Sequence, residues 1–223
     1  MIEGLKPHYH RILRPAAKAL SGMRVHPNVL TCLGVVLFAG AGWLTAAGRW
    51  HAALALVVAG SCMDGLDGLL ASLSGSKSTF GAILDSTCDR ITEIVWFGGV
   101  AAYYLLIPSV VTHPVWSSVF LSGAALSGSL MVSYVKARCE GAGVECRVGL
   151  MQRPERLVII SFCLLLGPGV MYWGMMLLSV LTWFTVAQRI AAAAKVQRCG
   201  GTEVQPLSCR SGAIPQGGTK PGG

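Results

Sequence analysis

Residues 63–71 read MDGLDGLLA and residues 80–90 read FGAILDSTCDR, so two strongly apolar stretches of the chain each carry a pair of aspartates. One ionised carboxylate inside a membrane helix costs roughly 2.5–3.5 kcal/mol on insertion scales, so four cost on the order of 10 kcal/mol. A pair of bound divalent cations would offset that cost. The pattern therefore indicates an enzyme or a transporter that holds metal ions within the membrane.

The composition indicates a membrane protein, because only 13% of the 223 residues are charged, whereas soluble domains carry about 25%. The long apolar runs are continuous, which predicts an all-α polytopic fold in which residues 1–195 form the membrane domain. The tail 196–223 is rich in glycine and is predicted to be disordered. Six transmembrane helices are predicted, at about 28–48, 51–73, 80–107, 114–136, 155–170 and 171–194.

The basic residues predict the orientation of the chain. Seventeen of the 18 Lys and Arg residues fall on one side of the predicted spans or beside it, and only Arg49 falls on the other. Both termini and the aspartates should therefore face the cytosol, in the cell (inner) membrane. The net charge of +8 follows from this pattern and does not indicate nucleic-acid binding. Within the juxtamembrane segment 1–24, apolar residues share one helical face beside basic residues, which predicts an amphipathic helix on the inner leaflet.

The spacing of the aspartates brings them together. Asp64 and Asp67 are three residues apart, and Asp85 and Asp89 are four apart, so each pair shares a helix face. A short loop joins the two helices, which must run antiparallel, so both pairs lie near the cytosolic ends. Such a set of oxygen ligands suits Mg²⁺ or Mn²⁺. Pairing of buried carboxylates with basic neighbours such as Arg90 is the alternative explanation, but one basic residue cannot neutralise four acids.

The pattern Asp64-x2-Asp67-Gly68-x2-Ala71-x9-Gly81-x3-Asp85-x3-Asp89 resembles the signature of the CDP-alcohol phosphatidyltransferases, and Pro27-Asn28-x-Leu30-Thr31 extends the resemblance. The resemblance implies a homodimeric membrane enzyme with two Mg²⁺ or Mn²⁺ ions. It implies transfer of a phosphatidyl group from CDP-diacylglycerol to an alcohol, with release of CMP. We predict that all four aspartates bind metal and that Asp89 is also the base. The residues expected to contact the CDP-lipid are Asn28, Thr31, Gly68, Ala71, Ser72 and Gly81. Ser72 departs from the family pattern, which has arginine there.

Basic residues near the cytosolic helix ends suit an acceptor alcohol that carries a phosphate, because arginine binds phosphate through two parallel hydrogen bonds. The expected contacts are Lys136, Arg138, Arg156 and Arg189. These segments resemble most the branch of the family that makes phosphatidylinositol phosphate, which implies inositol 1-phosphate as acceptor. An archaeal-type archaetidylinositol phosphate synthase and a phosphatidylglycerophosphate synthase remain alternatives. Positive-inside anchoring alone would also place basic residues here.

A divalent metal transporter is an alternative from another class, since transporters also carry carboxylates inside helices. A transport path needs polar groups that continue to the far side. After Glu93 the third predicted span runs through residues 94–102 without an ionisable group. The carboxylates thus end near one face, as in a substrate pocket, and metal-dependent release of CMP would distinguish the two classes.

Overall fold

The computed structural model describes residues 6–22, 26–76, 78–108, 113–144 and 148–198, and in these ranges the elements are helices joined by short connections. In chain order the helices are α1 (Lys6–Gly22), α2 (Pro27–Ala46), α3 (Trp50–Leu73), α4 (Thr79–Leu106), α5 (Val115–Gly141), α6 (Arg153–Leu166) and α7 (Pro168–Arg198).

Each of the six predicted spans coincides with one helix from α2 to α7. Four of these are long and apolar enough to cross a membrane, namely α2, α3, α5 and the part of α7 up to Lys195. The 14 residues of α6 extend only about 21 Å, less than the hydrocarbon core of about 30 Å. Residues 85–93 of α4 include four charged side chains, those of Asp85, Asp89, Arg90 and Glu93. The all-helical membrane architecture is confirmed, and the number of helices that cross stays a prediction.

The connection between α6 and α7 differs from the predicted boundary. The break falls at Gly167 instead of after residue 170, because Gly167 adopts a φ of +94° that other residues rarely reach. Pro168 then begins α7, where its missing N–H is tolerated. As a result α6 is shorter than its predicted span, and α7 is longer, extending to Arg198. Of the predicted disordered tail, residues 199–223 lie outside the described part of the chain.

A backbone-to-backbone contact sets α2 beside α4. A β-carbon on Gly99 would overlap the backbone of Gly42, so no larger residue fits at this crossing. Both helices run in the same direction, which puts the start of α2 beside the first half of α4. Thr31 consequently lines the same small cavity as Cys88 and Asp89.

The helix α1 covers the C-terminal end of α3. Its Leu13 and Ala17 are buried in a small apolar cluster with Leu30, Leu66 and Leu70. Leu13, Ala17 and, in part, Leu20 on its apolar face therefore pack on the protein, and contact of the remaining apolar residues with the inner leaflet stays a prediction.

Candidate active site

Three of the predicted metal ligands converge. Asp64 on α3 and Asp85 and Asp89 on α4 each offer a carboxylate oxygen, and the three oxygens lie within 4.8 Å of one another. We call these three residues the carboxylate cluster. A set made only of oxygen donors with high negative charge fits a divalent cation such as Mg²⁺ or Mn²⁺.

The fourth aspartate lies beside this cluster. Asp67 is buried, and its Oδ2 accepts a hydrogen bond of 2.6 Å from the hydroxyl of Thr31 on α2. The predicted quartet thus divides into three converging carboxylates and one that Thr31 orients. Thr31 was predicted as a contact of the CDP-lipid, and its hydroxyl also fixes a predicted metal ligand.

A concave cavity of about 240 Å³ adjoins the aspartates. Five of the six residues predicted to contact the CDP-lipid line it, together with Asp67 and Asp85. The sixth, Ser72, is exposed and is not among the lining residues. A β-carbon on Gly68 would meet no atom within 4 Å, so this helical glycine faces open space. The lining residues are Pro27, Asn28, Thr31, Asp67, Gly68, Ala71, Ser76, Ser78, Gly81, Ala82 and Asp85.

An arginine that is not among the predicted site residues contacts the carboxylate cluster. The Nη1 of Arg153 lies 2.7 Å from Asp64 Oδ1 and 2.6 Å from Asp89 Oδ1. Arg90, which was expected near these acids, lies 3.7 Å from Asp89 and donates to the carbonyl of Ser86. Arg153 is the first residue of α6 and directly precedes a proline. A proline is common in the first turn of a helix, so the Arg-Pro pair is the feature of the sequence that could have pointed to this arginine.

Two of the predicted acceptor contacts are on the surface. Lys136 and Arg138, near the end of α5, have exposed side chains. Lys136 forms a 3.7 Å ion pair with Glu140, one helical turn away. Both remain accessible to a soluble ligand, and their role as acceptor contacts stays a prediction.

The other two predicted acceptor contacts are buried and connect helices. Arg156 pairs with Glu93 at 2.7 Å and donates to the carbonyl of Ser129. Arg189 donates to the carbonyl of Val148 at 2.9 Å and to a carbonyl of α5. The guanidinium group of Arg156 thus connects α6 to α4 and α5, and that of Arg189 connects α7 to α5 and to the segment before α6. Acceptor binding by these two arginines also stays a prediction.

Comparisons with known proteins agree with this site. A family model described as CDP-alcohol phosphatidyltransferase matches residues 24–190. The phosphatidylinositol phosphate synthase of Corynebacterium glutamicum is 34% identical over 203 residues, which cover 87% of this chain and 89% of that protein. The archaetidylinositol phosphate synthase of Pyrococcus horikoshii is 32% identical over 87% of this chain and 97% of that protein.

Solved structures give the same result. Mycobacterium tuberculosis phosphatidylinositol phosphate synthase with CDP-DAG bound has a TM-score of 0.72 and 29% identity, over 92% of this chain and 100% of that one. The same enzyme in complex with manganese and citrate has a TM-score of 0.71, over 92% of this chain and 95% of that one. The matched region includes all four aspartates, and the chain therefore belongs to the CDP-alcohol phosphatidyltransferase family of metal-dependent membrane enzymes.

Proposed function

We propose that this protein transfers the phosphatidyl group of CDP-diacylglycerol to inositol 1-phosphate and releases CMP. One observation carries the proposal. The aspartates lie between a cavity lined by the predicted CDP-lipid contacts and an arginine suited to a phosphate. Donor and phosphorylated acceptor can then meet at the carboxylates. Relatives named phosphatidylinositol phosphate synthase and a relative crystallised with CDP-DAG support this assignment.

The proposed ligands of two Mg²⁺ or Mn²⁺ ions are Asp64, Asp67, Asp85 and Asp89, and the manganese complex of a relative supports a divalent metal. When bound, such ions neutralise the diphosphate and stabilise the departing CMP. Asp85 belongs to the carboxylate cluster and also lines the donor cavity, so it joins the diphosphate site to the acceptor side.

Asp89 is the proposed base. The acceptor hydroxyl oxygen attacks the phosphorus that carries diacylglycerol, the bond from that phosphorus to the CMP oxygen breaks, and CMP leaves with the electron pair. The hydroxyl proton passes to the carboxylate of Asp89. Arg153 contacts this carboxylate, and its remaining N–H groups can bind the acceptor phosphate and orient the hydroxyl. Lys136 and Arg138 would attract the phosphate from the cytosol.

The membrane arrangement is part of the proposal. Six helices, α2 to α7, would cross the cell membrane, with both termini and the active site on the cytosolic side and with two copies forming a homodimer. The distribution of Lys and Arg supports this orientation. The burial of α1 against α3 supports it as well, because this contact keeps the basic juxtamembrane segment at the aspartate end of the bundle.

The experiment that tests the function supplies the purified protein with CDP-diacylglycerol, Mg²⁺ or Mn²⁺, and one alcohol at a time. We expect phosphatidylinositol phosphate and CMP with inositol 1-phosphate, identified by mass. Product only with glycerol 3-phosphate would instead favour a phosphatidylglycerophosphate synthase. A preference for an ether-lipid donor would favour the archaetidylinositol reaction. Metal uptake into vesicles without release of CMP would favour a transporter.

Replacing Gly68 by alanine should weaken donor binding without harming the fold. Alanine is favoured over glycine in a helix by roughly 0.5–1 kcal/mol, so the melting temperature should not fall. The added methyl group points into the donor cavity, and overpacking of that size should raise the KM for CDP-diacylglycerol by about tenfold.

The matched control is Gly98→Ala, another helical glycine whose β-carbon would meet open space, but on the exposed face of α4. It should leave the KM unchanged. Equal KM values for Gly68→Ala and Gly98→Ala would contradict the position of the donor site.

A further inference from the structure

A second ion pair lies one helical turn from the carboxylate cluster. Oε1 of Glu93 lies 2.7 Å from Nη2 of Arg156, and the two side chains are only 13% and 4% exposed. Glu93 follows Asp89 by four residues, and Arg156 follows Arg153 by three. The two ion pairs, Asp89 with Arg153 and Glu93 with Arg156, therefore lie on successive turns of the facing helices α4 and α6.

Four polar atoms around this second pair are buried without a hydrogen-bond partner in the described part of the chain: Glu93 Oε2, Arg156 Nε, Trp96 Nε1 and Ser129 Oγ. All four belong to residues that line one cavity of about 20 Å³. A cavity of at least about 10–15 Å³ with two to four polar partners can hold one water molecule. Trp96 and Arg156 offer one N–H each, whereas Glu93 and Ser129 offer acceptors. This set matches the two lone pairs and two hydrogens of water.

We propose that Glu93 is a positioning residue for the acceptor side of the active site. It acts through its ion pair with Arg156 and through one buried water that completes the hydrogen bonds of both. A shift of α6 along α4 would separate Arg156 from Glu93 and leave a buried charge without its counter-ion. Because that is costly, the ion pair opposes such a shift. The start of α6 is thereby fixed, and Arg153 with it, beside Asp89. Only the kinetic test of this role rests on the proposed function.

The kinetic test is Glu93→Gln, which keeps the size of the side chain and removes its charge. A misplacement of about 1 Å can cost about a hundredfold in rate, and we expect the KM for inositol 1-phosphate to rise at least about tenfold. The KM for CDP-diacylglycerol should change less than about twofold, because the donor cavity does not include α6.

The control for a merely structural effect is Tyr104→Phe. Tyr104 is buried near the other end of α4, and its hydroxyl donates to the carbonyl of Pro168 at 3.2 Å. This variant should lower the melting temperature and leave both KM values unchanged. If Glu93→Gln behaved in the same way, or raised both KM values equally, the positioning role would be overturned.

The second test needs no turnover. A crystal structure at about 2 Å resolution should show a water within hydrogen-bond distance of at least three of the four atoms. A dry cavity, or direct pairing of these atoms with one another, would overturn the water site. Trp96→Phe removes one donor while leaving the ion pair intact. The Trp96→Phe variant should lose the water and raise the KM for the acceptor by about twofold to fivefold. This variant tests the proposal even if Glu93→Gln fails to fold.

The two proposals fail in different ways. Wild-type protein that makes no lipid from inositol 1-phosphate would contradict the proposed function, whereas the crystallographic test would still decide the water site. Active wild-type protein with an unaffected Glu93→Gln variant would contradict only the positioning role.

Discussion

Asp85→Asn should lower kcat/KM for CDP-diacylglycerol by about a thousandfold or more, because a metal ligand contributes several kcal/mol to the stabilisation of the transition state. Asp85 is the aspartate common to the carboxylate cluster and the donor cavity. Asparagine keeps the shape of the side chain but removes its charge. The measurement is the rate of CMP release at saturating inositol 1-phosphate with Mn²⁺ or Mg²⁺ present.

The control is Glu140→Gln, which removes one negative charge from an exposed side chain on α5. Its rate should stay within about twofold of wild type, since exposed ion pairs contribute at most about 1 kcal/mol. An Asp85→Asn variant that folds, binds CDP-diacylglycerol and retains more than a tenth of the activity would contradict the assigned role.

Arg153→Gln should lower kcat/KM for inositol 1-phosphate by about a hundredfold, because a hydrogen bond to a charged group is worth about 1.5–3 kcal/mol. Arg153 contacts Asp64 and Asp89 and would bind the acceptor phosphate beside the base. Arg153→Lys keeps the charge but loses the planar fork, so its activity should lie between those of the glutamine variant and wild type. Steady-state kinetics with the acceptor varied at saturating donor measure the effect.

Arg49→Gln is the matched control, because Arg49 is exposed just before the first residue of α3, far along that helix from Asp64. It should leave the acceptor KM unchanged. A loss in Arg153→Gln that appears only in the KM for CDP-diacylglycerol would assign this arginine to the donor instead.

Part of the proposed donor side could be predicted from helical geometry, because several of its residues are local. Asp64, Asp67 and Gly68 lie within two turns of one helix, and helical geometry alone puts them near one another. The next helix follows after a short loop, so the meeting with Asp85 also followed from the sequence. Asn28 and Thr31 lie on another helix and followed only from the resemblance to the family, and they line the same cavity as Gly68, Ala71 and Gly81.

The acceptor side could not be predicted in the same way. The contact of Arg153 with Asp64 joins residues 89 positions apart, and it depends on how α6 lies against α3 and α4. Basic residues at the predicted cytosolic helix ends also look alike in sequence, since anchoring and ligand binding both select them. Only the structure distinguishes the buried Arg156, paired with Glu93, from the exposed Arg138.

The central claim is that the aspartates bind divalent cations, and direct titration of the purified protein with Mn²⁺, followed by electron paramagnetic resonance, tests it. Wild type should bind two ions per chain. The double variant Asp64→Asn/Asp85→Asn should bind less than one, with a circular-dichroism spectrum like that of wild type. Equal Mn²⁺ binding by both proteins, or no binding by the wild type, would contradict the account.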